Sequence, residues 1–80
     1  MAIELYIWYE SSFHKKYFIN PKGKKDFNQS IECENTEDII QVLKERYSDR
    51  KAYLIGVDNL EPKAISKILD LIDSREVNIH

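Results

Sequence analysis

The sequence predicts an α/β fold, with α+β as the alternative, on three observations within an 80-residue chain. Residues 51–57 (KAYLIGV) make an apolar, partly β-branched run of strand length. Residues 61–75 carry apolar side chains at helical spacing, and residues 76–80 (EVNIH) return to alternation. Two strands joined by a helix lie parallel, with a right-handed crossover. With the elements below, the order is β-β-β-α-β-α-β in one domain, residues 1–80. The sheet is mixed, with an N-terminal antiparallel hairpin and both helices on one face.

Residues 2–9 alternate Ile3, Leu5, Ile7 and Tyr9 with Glu4, Tyr6 and Trp8, all of good strand propensity. Residues 13–19 give a second strand with lysines interleaved, and the hairpin turns at Glu10, Ser11 and Ser12. The run Asn20-Pro21-Lys22-Gly23 is a turn, because Pro presets φ and Gly tolerates positive φ. Residues 27–34 give a third strand, Ile31 and Cys33 on one face and Glu32 and Glu34 on the other. A first helix starts with Thr36 as cap and Glu37 and Asp38 in its first turn, where the helix dipole favours negative charge. Its apolar face is Ile39, Val42, Leu43, Arg46 and Tyr47, and residues 48–50 close it. The second helix starts at Pro62, whose missing N–H costs nothing in a first turn. Its inner face is Ala64, Ile65, Ile68, Leu69, Leu71 and Ile72.

Composition narrows the class. A content of 42% hydrophobic and 32% charged residues is that of a folded domain. No apolar run approaches the length of a membrane span, the N-terminus has no basic leader, and one cysteine allows no internal disulfide. The expected setting is the cytoplasm, with no membrane partner. The net charge of −2 is unevenly spread: residues 10–26 carry +3 and residues 27–80 carry −4.

Two helices on one side of the sheet leave its other face open. Tyr6 and Trp8 point there, so they are either exposed anchors for a partner or ordinary core, under a folded-over hairpin or with the helices split between the two faces. Asp58, just past an apolar strand, stands where open α/β sheets gather ligands, with Glu61 as helper. The competing reading makes Asp58 and Asn59 a turn that caps the second helix. Glu32, Glu34, Glu37 and Asp38 form an acidic cluster fit either to dock a basic partner or to be a solvated strand edge running into a helix start. Lys15, Lys16, Lys22, Lys24 and Lys25 lie among Phe13, Tyr17 and Phe18, a mixture suited to single-stranded nucleic acid. Lysines also keep an edge strand soluble. Cys33 reads as a small buried hydrophobe, His14 and His80 as surface residues, and no glycine-rich phosphate loop exists.

The functional expectation is a small acidic, non-enzymatic protein–protein interaction module, of the kind that serves as an inhibitor, immunity or antagonist protein. Partner-binding residues are Tyr6, Trp8, Glu32 and Glu34, and no catalytic residue, metal or cofactor is expected. The alternative is single-stranded nucleic-acid binding through Lys15, Lys16, Tyr17, Lys22, Lys24 and Lys25. Homodimerisation through the sheet face or an edge is a further expectation.

Overall fold

The computed structural model describes residues 3–47 and 52–79, with backbone alone at 75 and 76. The elements are β1 (Ile3–Glu10), β2 (Lys16–Asn20), β3 (Ile31–Cys33), α1 (Thr36–Tyr47), β4 (Ala52–Asp58), α2 (Pro62–Leu69) and β5 (Asp73–Ile79). The five strands form one mixed sheet in the order β3-β2-β1-β4-β5. β1, β2 and β3 pair antiparallel, while β1, β4 and β5 run parallel. This is the element order expected from the sequence.

Alternation gives the sheet two unlike faces. On one, Leu5, Ile7, Ile19, Cys33, Leu54 and Val57 lie in register. Ile39, Leu43 and Tyr47 of α1, with Ile68 and Ile72 from α2 and the turn after it, complete a core with them. Both helices therefore cover the same face, and they pack against each other. The far face carries Tyr6, Trp8, Phe18, Glu32 and Asp58. It is closed by two connections, the turn 11–15 and the loop 21–30.

Several boundaries differ from the sequence reading, each for a local reason. β2 starts at Lys16 rather than residue 13, because Lys15 takes a positive φ of 52° and ends the hairpin turn. β3 shrinks to three residues, since Asn28, Gln29 and Ser30 keep the turn character their side chains favour. The cap of α1 is Asn35, whose Oδ1 accepts from the Asp38 N–H at 2.9 Å, one residue before Thr36. α2 ends at Leu69, and Ile72 reaches the core from a turn bonded back to Ile68, so that β5 can begin beside Tyr53 at Asp73. Opposite the single residue Ile55 of β4, β5 spends three residues, 75–77, in a bulge. The expected closure of the first helix at 48–50 falls outside the described residues, as do the strand starts at 2 and 51 and the last residue, His80.

Candidate functional site

The far face is an aromatic stack rather than an open surface. Trp8 is wholly buried. Its ring stacks on Phe18 with centroids 5.4 Å apart, and it meets Tyr6 and Phe27 edge-on at 6.0 and 5.7 Å. The expectation of Trp8 as an exposed anchor is therefore corrected: Trp8 is core. The cause is the loop 21–30, which crosses the far face from β2 to β4 and lays Phe27 on Trp8 and Phe18. Tyr6 is half-buried, its ring lying over Gly56, where an added Cβ would stand 2.4 Å from the ring edge.

Asn20 organises that loop. It is fully buried at the end of β2. Its amide nitrogen donates to the Asp26 carbonyl at 2.8 Å, and its Oδ1 accepts from the Lys22 N–H at 2.7 Å. The Ser30 hydroxyl also donates to the Asp26 carbonyl. Positive φ angles at Gly23 (74°) and Gln29 (66°) turn the chain at the loop's two ends. Across the sheet, the Lys25 Nζ reaches Asp58 Oδ2 at 2.5 Å. Asp58 is thus neither the cap of α2 nor a free acid. The N-cap residue of that helix is Glu61, which makes no side-chain cap bond. Asp58 and Glu61 do not form one site: Asp58 lies in register with Trp8 on the far face, whereas the Glu61 charge acts on Tyr17 on the helix side.

What remains exposed of this aromatic cluster lies at the hairpin tip and the adjoining loop, while Leu69, Leu71 and Ile79 are exposed elsewhere. Phe13 is 86% and Phe27 47% exposed, and His14 lies between them. The imidazole centroid is 5.5 Å from the Phe13 and Phe18 rings and 5.1 Å from Phe27. One aromatic strip therefore runs from the buried Trp8–Phe18 stack through His14 and Phe27 to Phe13 at the surface. The sequence reading places Phe13 and Phe27 in strands, names Phe13 only among the aromatics of the nucleic-acid alternative, and misses both as protein-contact residues. The available signal was Ser11-Ser12 before Phe13 and the polar Asn28-Gln29-Ser30 after Phe27, which mark both as loop residues.

Three of the lysines around the hairpin and loop, Lys16, Lys24 and Lys25, are matched with carboxylates. Lys16 Nζ stands 3.4 Å from Glu32 and 3.5 Å from Glu34, and these carboxylates raise its pKa above the ordinary lysine value. The structure thus brings Glu32 and Glu34 together, around a shared lysine beside the β3 edge. Lys24 lies 3.7 Å from Asp26. Lys15 and Lys22 are exposed. Tyr17 turns to the helix face, 4.7 Å from Tyr9, where burial first and the Glu61 charge second push its hydroxyl pKa up. The six residues of the nucleic-acid reading are therefore split between two faces, and three of the five lysines already hold carboxylates.

A cleft of about 540 Å³ opens along the loop between Lys22, Lys24, Asp26, Asn28 and Gln29. Cys33 is buried, which pushes its thiol pKa to about 11 and removes it as a nucleophile near neutral pH. Among the described residues, no group of three or more His, Cys, Asp or Glu could hold a metal ion. No helix among the described residues is long and apolar enough to cross a membrane. Comparison with protein-family models, with curated proteins and with solved structures finds no match.

Proposed function

We propose that this chain is a small non-enzymatic protein-binding module, of the inhibitor, immunity or antagonist kind, that grips a protein partner through its aromatic hairpin tip. The observation that carries this reading is Phe13, 86% exposed yet joined through His14 and Phe27 to a buried aromatic stack. A phenylalanine left in water forgoes about 2 kcal/mol of burial, a cost that a binding role explains. Contact energy concentrates in a few rigid aromatic anchors, and the ring of His14 braces this one from below. Glu32 and Glu34 outnumber the lysine they share, so that edge keeps a negative charge that can guide encounter.

Nucleic acid fits the surface less well. Binding phosphates would require Lys16, Lys24 and Lys25 to leave the carboxylates they hold. Edge-to-edge dimerisation is also disfavoured, because β3 is three residues long and β5 is bulged, two common ways of blunting an edge. The single buried thiol suits a cytoplasmic setting.

Affinity capture from the native cell with tagged wild type and Phe13→Ala tests the reading. The expected result is one defined protein held by the wild type and lost at least tenfold in the variant, at unchanged thermal midpoint. Undiminished capture by Phe13→Ala, or nucleic acid as the retained species, overturns it.

A further inference from the structure

The loop 21–30 is tied tightly to itself and, at its base, to Asn20 of β2, and lightly to the rest of the sheet it covers. Within it, Ser30 bonds Asp26 and the Asp26 carboxylate accepts from the Asn28 N–H at 2.9 Å, while Asn20, the last residue of β2, holds Lys22 and Asp26 at the loop's base. Across to the sheet run one ion pair, Lys25–Asp58, a bridge between Lys22 and Glu4, the seat of Gly23 against Ile55, and the Phe27 ring, itself about half exposed. Lys25 and Asp58 keep 42% and 19% of their side-chain surface in water, so their pairing is worth far less than a buried bridge. Beneath the loop lies Trp8, whose buried indole N–H has no acceptor among the described residues. A buried donor without a partner weakens the closed arrangement that confines it.

We propose that residues 21–30 are a latched cover, hinged at Asn20-Pro21 and at Gln29-Ser30, that opens as one piece. Lys25–Asp58 is the latch and Phe27 the plug. Opening uncovers Trp8 and Phe18 and extends the strip begun by Phe13 into one continuous aromatic surface. A partner that uses the buried rings shifts the cover toward its open state in proportion to its preference for that state. The use of the opened surface rests on the protein-binding reading above, whereas the opening itself is a property of the isolated chain.

Hydrogen exchange at the Trp8 indole tests this without any partner. The chain has a single tryptophan, so its indole resonance is unambiguous. Compared with the wild type, Lys25→Gln and Asp58→Asn are expected to speed indole exchange about two- to fivefold, the population shift that loss of a partly exposed ion pair produces. The slowest core amides, such as those of Ile7 and Leu54, should move by no more than any change in global stability. The exchanged pair Lys25→Asp with Asp58→Lys should return the indole toward the wild-type rate. If the indole exchanges only in step with those amides, or is unchanged in both single variants, the cover does not open locally and the proposal fails. Neither variant touches Phe13, so this failure is distinct from retained capture by Phe13→Ala.

Discussion

At the scale of single residues, the far face depends on groups whose partners come into position only when the chain folds back. Asn20 reads in the sequence as a turn former. Its role as a buried hub was not legible, because its partners at 22 and 26 acquire position only when the loop folds back. Asn20→Ala is expected to cost about 2–3 kcal/mol in urea unfolding, since the loop carbonyl and N–H it serves lose their partner. Cys33 was legible, because Glu on both sides fixes its direction on a strand. Its thiol pKa is raised to about 11 from the ordinary 9.0. The unfolded chain therefore loses that proton first as pH rises. The contribution of the buried thiol is complete below pH 9 and is lost between pH 9 and about 11. A thiol reagent at pH 8 should accordingly label Cys33 only as fast as the protein opens. Rapid labelling of the folded chain contradicts the burial described.

At the scale of elements, existence and order were legible and boundaries were not. The helices announce themselves by apolar spacing and by Pro62, whereas Asn35 and Thr36 are adjacent and both able to cap, so only geometry separates them. Asn35 carries the bond to Asp38, and the Asp38 carboxylate accepts in return from the Glu34 N–H at 3.1 Å. Asn35→Ala should lower stability by about 1 kcal/mol, whereas Thr36→Ala should leave this cap bond intact. α2 has the opposite fault, for Glu61 occupies the N-cap position without a side-chain bond. Glu61→Ser is expected to raise stability by about 0.5–1 kcal/mol in thermal melts. The loss of six residues, 70–75, from the C-terminal end of the second helix was unreadable, since Leu71 and Ile72 satisfy a helical stripe as well as a turn that drops Ile72 into the core and leaves Leu71 exposed.

At the scale of the whole molecule, placing two helices on one side of a five-stranded sheet raised the question of what covers the other side. The sequence supplied both answers and no means of choosing. The decision lies in the loop 21–30, which buries Trp8 and moves the exposed aromatic surface outward to Phe13 and Phe27. Trp8 emission should therefore be blue-shifted and poorly quenched in the free chain, and a solvent-exposed spectrum contradicts the closed face. The same folding explains why the lysine-rich hairpin is no simple cationic surface, for the return of the chain brings Asp58 to Lys25 while β3 brings Glu32 and Glu34 to Lys16. The most direct measurement of the central claim is site-specific photo-crosslinking in the native cell. A photoreactive phenylalanine would replace Phe13 in one variant and Gln41, exposed on α1, in another. Crosslinks to one protein from position 13 and none from position 41 are the expected result. A partner trapped from position 41 and not from position 13 would place the contact surface on the helices and contradict the account.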